Sequence, residues 1–379
     1  MKQPTQQRSF WLDYLRAFIT LLVIAHHAAL AYTSFASFNA VAYILSTHPV
    51  VDSRRWPVLD VFVSFNDVFF MPLMFLISGM FVIPALRRKG ASSFFTDRLF
   101  RLFIPFLIAV TLLMWIAYYP AYLLSGKTGG IYNYLLDFFT VEAWPVGPPW
   151  FIWVLFLFNA GIALLYKPTS FLFNKASGYV RTLGAKPVTA FLILFVITGL
   201  LYVPLAIIFG PNSWTGIGPF DFQKSRMLLY FGYFLIGSII GVTDFDQGLF
   251  SRESPLVKSW KNWVLLAIIC FLLLMFIRPE GAFLSGGAFA LSAVLSNIAF
   301  LTAFRANVQE KSNIWQSLSA NAYGMYLTHY IFIVWCQYVL LRLDCPAGIK
   351  FLITFIFSAC ASWLLTRLLR KVSVIKHFI

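Results

Sequence analysis

The segment FWLDYLRAFITLLVIAHHAALAY, residues 10–32, indicates the fold class of this chain. About 20 mainly apolar residues cross the hydrocarbon of a bilayer as one helix, and this segment is long enough to do so. It nevertheless carries four ionisable side chains, Asp13, Arg16, His26 and His27. Ionisable groups inside a membrane segment are costly unless they are paired or hydrated, so each of them is a candidate for a functional role.

The composition of the chain extends this interpretation to all 379 residues. Apolar residues make up 60% of the sequence and charged residues only 11%, whereas a soluble domain is about one quarter charged. The chain is therefore predicted to be an all-α integral membrane protein. The first segment is too long and too rich in ionisable residues for a cleaved signal peptide, so it is predicted to be a retained helix.

Ten apolar segments are predicted to span a membrane, with no separate soluble domain, so residues 1–379 are expected to form a single transmembrane domain. Of the 29 Lys and Arg residues, 21 fall at the N-terminus, in alternate loops and in the C-terminal tail. The positive-inside rule then predicts that both termini lie in the cytoplasm. The predicted spans cover residues 10–36, 60–84, 102–124, 148–167, 188–210, 226–242, 260–278, 283–304, 322–342 and 349–370.

The net charge of +15 is explained by these loops and by contact with membrane lipids, so no nucleic-acid partner is expected. The four cysteines show no metal-ligand spacing, and we expect neither a metal nor a bound cofactor.

Arg16 and His27 are predicted to share one face of the first helix. Their separation of eleven residues brings them to within about 20° of the same direction, and about 16 Å apart along the axis. Asp13 precedes Arg16 by three residues and is positioned to pair with it. A stripe of polar groups therefore leads from an Asp–Arg pair at one end of the helix to an imidazole near its middle. The alternatives are an interfacial arginine anchor and a histidine that bonds a neighbouring helix.

Further polar candidates occur along the chain. Asp67 in the second span is either a proton acceptor or a polar group paired to another helix. Ser78 and Gly79 allow close backbone approach at the far end of that span. Arg98 and Arg101 are three residues apart and place two guanidiniums side by side. Such a pair suits a phosphate-rich ligand, but without further context it is also consistent with simple anchoring to lipid headgroups. The remaining candidates are Tyr326 and His329 in the ninth span, and Trp144 and Trp150, which either stack on a sugar or belong to the interfacial aromatic belt.

Four motifs in this order, LDYLRAFITLLVIAHH, FLISGMF, RLFRLFIP and YLTHY, resemble the membrane acyltransferase 3 family over essentially the whole chain. That family includes bacterial O-acyltransferases that modify glycans, and the resemblance is strongest to its glucans biosynthesis protein C type, which attaches succinyl groups. Its Arg-to-His spacing matches Arg16 and His27, and so selects His27 over His26. Its other motifs match Ser78 and Gly79, Arg98 and Arg101, and Tyr326 and His329. Many relatives carry an added soluble domain, and none is expected in this chain.

The resemblance implies a membrane O-acyltransferase with acyl-CoA as co-substrate. Arg98 and Arg101 are expected to hold the phosphates of acyl-CoA in the cytoplasm, and His27 to act as general base or as a covalent nucleophile. The Asp13–Arg16 pair would order the cytoplasmic end of the stripe. Tyr326 and His329 would bind the donor or stabilise the oxyanion, and Ser78 and Gly79 would help to bind the donor. A glycan acceptor would arrive from the opposite side past Asp67, Trp144 and Trp150.

Two other functions fit the polar residues. A proton-coupled secondary transporter, exporting a small metabolite or a glycan unit, would also use buried Asp and His groups. Against it, the two halves of the chain show no repeat. A scaffold without chemistry would not explain why Arg16 and His27 share one stripe.

Overall fold

The computed structural model describes residues 10–140, 144–246, 248–277, 280–375 and 378, and it is predominantly helical. One small hairpin pairs β1 (Trp214–Thr215) with β2 (Phe222–Gln223) in antiparallel register. The helices are α1 (Phe10–Leu30), α2 (Pro57–Met80), α3 (Val82–Lys89), α4 (Ala91–Arg98), α5 (Ile104–Ile108), α6 (Met114–Leu124), α7 (Gly130–Thr140), α8 (Trp150–Thr182), α9 (Pro187–Phe209), α10 (Met227–Ile240), α11 (Pro255–Lys258), α12 (Trp260–Ile277), α13 (Ala282–Asn307), α14 (Asn313–Leu340) and α15 (Ala347–Leu369). Two π-helical segments, Leu99–Phe103 and Ala109–Leu113, join α4, α5 and α6.

The prediction of an all-α membrane protein is confirmed. Within the described ranges, eight helical stretches are long and apolar enough to cross a membrane. Two predicted spans fall outside that set for different reasons: α10 has only 14 residues, and α14 has 28 residues but is less apolar. All ten predicted segments are nevertheless mainly helical. The count of ten spans and the cytoplasmic location of the termini stay predictions.

Several predicted boundaries were wrong. The helix predicted to reach residue 36 ends at Leu30. The next two carbonyls, of Ala31 and Tyr32, accept hydrogen bonds from the backbone amides of Asp52 and Trp56 in the loop that follows. The third span was predicted to start at residue 102, but its helix begins at Ala91.

The loop expected after residue 167 was also wrong, because α8 continues to Thr182. The guanidinium of Arg87 donates to Tyr166 and Asn174, and so ties this extension to α3. The extension is therefore stabilised by a partner on another helix, which periodicity along α8 alone does not reveal.

The first helix runs parallel to α14. The hydroxyl of Ser319 donates to the carbonyl of Asp13, and near the other end of both helices the amide of Gln337 donates to the carbonyl of Ala28, 3.1 Å away. The last helix runs the opposite way, since Lys350 at its start pairs with Asp52.

Two faces of the bundle follow from this arrangement. The beginning of α1 and the end of α15 lie at one end, which we call the basic face because residues 87–101 and 367–371 also lie there. The other end, the loop face, carries residues 31–56, 125–140, 144–149 and 210–226.

The contact between α2 and α10 is a direct backbone contact. A β-carbon on Gly79 would clash with the carbonyl of Phe234 and lie 2.9 Å from the amide nitrogen of Ser238. On the facing helix, Gly237 touches the backbone of Leu76 in the same way. The close approach predicted at Gly79 is therefore confirmed.

Candidate active site

Four of the five histidines of the chain converge at the middle of the bundle. The rings of His26 and His27 are 5.4 Å apart between centroids, and His27 is at the same distance from His329. The ring of Tyr330 lies 5.3 Å from that of His27 and 5.7 Å from that of His48. Three segments that are far apart in sequence, α1, α14 and the loop 31–56, therefore supply one imidazole cluster.

Hydrogen bonding determines the tautomer of His329. Its Nδ1 lies 2.6 Å from the carbonyl oxygen of Tyr326, which only accepts, so Nδ1 carries the proton in the neutral ring. Its Nε2 is then a buried lone pair with no hydrogen-bond partner among the described residues. Nδ1 of His27 is likewise buried and has no hydrogen-bond partner among the described residues. The two neighbouring rings thus hold unused nitrogen atoms, an arrangement suited to accepting a proton.

His48 is a member of this cluster that sequence reasoning missed. It lies in the loop 31–56, where the residue is 1% exposed and its Nε2 is 2.7 Å from the side-chain amide oxygen of Gln337. Burial lowers the pKa of His48 to about 4, although the bond to Gln337 acts in the opposite direction. The ring is therefore neutral near pH 7. In the sequence, the only signal is a histidine followed by the apolar stretch PVV.

The predicted pair on α1 is present. A guanidinium nitrogen of Arg16 lies 3.5 Å from the carboxylate of Asp13, and the guanidinium sits over the ring of Phe81 at 5.8 Å. The side chain of Arg16 is 39% exposed, so it is accessible from the basic face.

Arg98 and Arg101 lie together, as predicted, and converge on the carboxylate of Asp97. Nε of Arg101 is 3.2 Å from that carboxylate, and Nη1 of Arg98 is 4.0 Å from it. Lys89 also binds Asp97, at 2.7 Å. Arg98 is within electrostatic range of two further guanidiniums, so five basic side chains share this region with two carboxylates. The basic cluster comprises Arg16, Arg88, Lys89, Arg98 and Arg101, with Asp13 and Asp97 as its carboxylates.

Polar side chains of α14 connect the basic cluster to the histidines. The hydroxyl of Tyr323 donates to the carbonyl of Arg101 at 2.7 Å, and Tyr326 and His329 follow at intervals of three residues. The hydroxyl of Tyr326 donates to the carbonyl of Pro148. The Tyr326 hydrogen is thereby already donated to a backbone carbonyl, which favours a positioning role over the oxyanion role expected from the sequence.

Asp67 is held by a partner that the sequence did not reveal. Arg226, only 3% exposed, donates to both carboxylate oxygens of Asp67, at 2.9 and 2.6 Å. The side chain of Asp67 itself remains 44% exposed. Of the two alternatives left open for Asp67, pairing to another part of the chain is the one that the structure contains.

The two tryptophans predicted on the acceptor side lie in separate aromatic groups. Trp144 packs against Phe138 and Phe139 and donates to the carbonyl of Val110. Trp150 packs against Tyr230 and Trp214. The two tryptophans are close in the sequence but contact different residues in the structure, because the chain turns at residues 147–150 into α8.

Ser78 and Gly79 end the second span at the contact with α10. Gly79 is buried there, and Ser78 is partly exposed. Across the described part of the chain, no three His, Cys, Asp or Glu side chains converge in a way that could hold a metal ion, the histidine cluster included.

Comparison with known proteins agrees with the motifs. Residues 9–367 match the sequence model of a family described as an acyltransferase domain, Acyl_transf_3. Glucans biosynthesis protein C of Shigella dysenteriae serotype 1 (strain Sd197) is 25% identical over 260 residues, which cover 67% of this chain and 63% of the relative. The protein of the same name from Escherichia coli O81 (strain ED1a) is 25% identical over 282 residues, 72% of this chain and 68% of the relative. The alignment thus spans a little under two thirds of the Shigella protein. No solved structure matches this chain.

Proposed function

This chain belongs to the acyltransferase 3 family, and from that premise we propose that it is a membrane O-acyltransferase. It moves an acetyl or succinyl group from cytoplasmic acyl-CoA to a hydroxyl of a glycan on the other side of the bacterial inner membrane. In this proposal the basic face meets the cytoplasm and the loop face meets the acceptor. The observation that carries it is the contact between the rings of His27 and His329, which a polar path on α14 connects to the basic cluster.

The basic cluster supports the donor assignment. Acyl-CoA carries several phosphate charges, and guanidiniums bind phosphate through a fixed fork of donors. Asp97 neutralises only part of the charge of Lys89, Arg98 and Arg101, so positive charge remains for a ligand. Arg101 is 57% exposed on its side chain and can reach a ligand from the aqueous side. Ser78 and Gly79 would line the donor path where α2 contacts α10.

The chemical step requires a neutral imidazole beside the acceptor hydroxyl. His27 removes the hydroxyl proton as the oxygen attacks the thioester carbonyl carbon. The carbon–sulfur bond then breaks, and the CoA thiolate takes up the proton. General-base catalysis of this kind contributes about 10²–10⁴-fold in rate. In the covalent variant, an imidazole nitrogen of His27 attacks first and CoA leaves as its thiolate. The hydroxyl oxygen then attacks the acyl-imidazole, the bond to the imidazole nitrogen breaks, and the hydroxyl proton goes to the CoA thiolate.

His329 and the Asp13–Arg16 pair support this step from two sides. With Nδ1 of His329 bonded to the Tyr326 carbonyl, its Nε2 can accept a hydrogen bond or a proton beside His27. A neutral ring in this tautomer would not stabilise an oxyanion through Nε2, because that nitrogen carries a lone pair and no hydrogen. The Asp13–Arg16 pair orders the beginning of α1, at the basic face.

The deciding experiment uses the purified protein in nanodiscs with radiolabelled acetyl-CoA and succinyl-CoA. We expect saturable binding of one donor and slow release of free CoA. His27→Ala should retain donor binding and lose release by about a hundredfold. Normal release by His27→Ala would show that His27 is not the base. If the wild type bound neither donor, the transporter interpretation would replace this one.

A further inference from the structure

The proposed base lies where α1 lacks backbone partners. The last four carbonyls of an α-helix have no amide within the helix to bond, and in α1, which ends at Leu30, the first of them belongs to His27 itself. The side-chain amide nitrogen of Gln337 lies 3.4 Å from that carbonyl oxygen and 3.1 Å from the carbonyl oxygen of Ala28. A side chain of α14 therefore caps the last turn of α1 at the residue that carries the base.

These contacts determine the orientation of the Gln337 amide. A carbonyl oxygen only accepts hydrogen bonds, so the amide nitrogen of Gln337 faces α1 and its oxygen faces away. That oxygen lies 2.7 Å from Nε2 of His48, and it too can only accept, so Nε2 of His48 carries the hydrogen. Gln337 and His48 are each only 1% exposed, so bulk water does not compete for this bond. The two side chains thus form one chain of hydrogen bonds that ends on the backbone of α1.

The second nitrogen of His48 contacts the ring beside the base. With the hydrogen on Nε2, Nδ1 of a neutral His48 ring has a lone pair, and the hydroxyl oxygen of Tyr330 lies 3.4 Å from it. The ring of Tyr330 lies at 77° to the ring of His27, and their centroids are 5.3 Å apart. Tyr330 and Gln337 are seven residues apart on α14, so they point within about 20° of the same direction. His48 therefore bonds two side chains of α14, and each of them contacts His27.

The loop around His48 is itself fixed. Before His48, the amide of Thr47 donates to the carbonyl of Ser37 at 3.0 Å. After it, the carboxylate of Asp52 lies 2.6 Å from the ammonium of Lys350 on α15, and these two residues are 3% and 1% exposed. Breaking so deep an ion pair would leave a buried charge without its partner, so the loop is held in one place. His48 is thus positioned by contacts that involve neither α1 nor α14.

We propose that His48 and Gln337 are positioning residues for the reaction of His27, and with Tyr330 we call them the loop clamp. The loop clamp fixes the last turn of α1 and the ring next to the imidazole, so that the base keeps one direction toward the acceptor hydroxyl. A displacement of about 1 Å at a reacting group can cost about a hundredfold in rate. This inference rests on the proposed function, because it assigns the loop clamp a part in the chemical step.

The test compares variants of the loop clamp in nanodiscs, by steady-state release of CoA from acetyl-CoA and succinyl-CoA. Gln337→Leu and His48→Leu are each expected to lower kcat by about ten- to a hundredfold. The KM for acyl-CoA should not change, because Arg16 of the basic cluster lies about 16 Å from His27 along α1. His48→Gln should recover most of the rate, since its amide can donate to Gln337 and accept from Tyr330.

Two further variants separate positioning from folding. The double variant His48→Leu/Gln337→Leu replaces both members of a buried hydrogen bond by apolar groups, which costs less stability than removing one partner. Its kcat should be as low as in either single variant and not lower, because residues that act as one unit are not additive. Gln316→Leu makes the same change about six turns earlier on α14 and should behave as the wild type does.

Amide hydrogen exchange at the end of α1 tests the loop clamp without acyl-CoA. Losing one good hydrogen bond shifts a local opening equilibrium about tenfold. The amides of residues 27–32 should therefore exchange about tenfold faster in Gln337→Leu than in the wild type, and at the wild-type rate in Gln316→Leu.

The outcomes separate the loop clamp from the reaction. A wild-type kcat in Gln337→Leu would overturn the inference, and faster exchange in that same variant would show that Gln337 only stabilises α1. Equal losses of kcat in Gln316→Leu and Gln337→Leu would also overturn it. If the wild type released no CoA from either donor, the proposed function would fail instead, and faster exchange in Gln337→Leu would show that the loop clamp still holds His27.

Discussion

The imidazole rings of His27 and His329 lie 5.4 Å apart, although more than three hundred positions separate them in the chain. The parallel packing of α1 against α14 brings them together, and the bond from Nδ1 of His329 to the Tyr326 carbonyl orients the second ring. His329 is thereby presented with a free basic nitrogen beside His27. The consequences of this pairing can be measured.

Replacing His329 by Asn tests that nitrogen alone. The Asn amide can still donate to the Tyr326 carbonyl in place of Nδ1, but it offers no basic nitrogen in place of Nε2. We expect kcat to fall about a hundredfold, with little change in the KM for acyl-CoA or in Tm. If His329→Asn released CoA with the wild-type kcat, His329 would contribute to packing and not to the chemical step.

The basic cluster predicts a defect in donor binding. Arg98→Ala and Arg101→Ala should each raise the KM for acyl-CoA about tenfold, because each removes a charge-assisted contact with phosphate. Lys175→Ala is the control: it removes the same charge from an exposed position on α8. Arg98→Lys should recover only part of the affinity, since an ammonium lacks the guanidinium fork. Equal effects of Lys175→Ala and Arg98→Ala would indicate a general loss of positive potential instead.

His48 predicts a dependence of stability on pH. Its pKa is about 4 in the folded protein, because of burial, against 6.5 for an ordinary histidine, so the unfolded chain binds this proton first. The free energy of unfolding should therefore decrease as the pH falls below 6.5, and the decrease should level off near the folded pKa. From about pH 7 to about pH 5 the contribution of His48 is about 2 kcal/mol.

His48→Gln is the variant that measures this contribution, because its amide can keep the bond to Gln337 without titrating. Unfolding in detergent at both pH values should show a smaller decrease for the variant than for the wild type. The same decrease in both proteins would mean that other groups dominate.

Gly79 predicts a steric effect on folding. Any β-carbon there meets the backbone of α10 at Phe234 and Ser238, so Gly79→Ala should lower the free energy of unfolding by about 1–3 kcal/mol. Gly199→Ala on α9 is the matched control, since a β-carbon there has no atom within 4 Å. Thermal unfolding of the two variants should separate them clearly. A Gly79→Ala protein as stable as Gly199→Ala would mean that α10 can shift away.

The sequence by itself determined the fold class and the local pairs. Ten apolar segments are recognisable because a bilayer requires about 20 apolar residues in each helix. Residues three or four apart on a helix are neighbours in any fold that keeps the helix, which is why Asp13–Arg16 and the Arg98–Arg101 group appear as predicted.

Only the tertiary structure decided which distant groups meet. His48 joins the site from a loop, and Arg226, which follows the hairpin in the chain, pairs with Asp67. Trp144 and Trp150 pack in different aromatic groups. These relations depend on how whole helices pack, through surfaces such as the backbone contact at Gly79. A repeat of 3.6 residues specifies the face that a side chain occupies on its own helix, but it does not specify which helix that face meets.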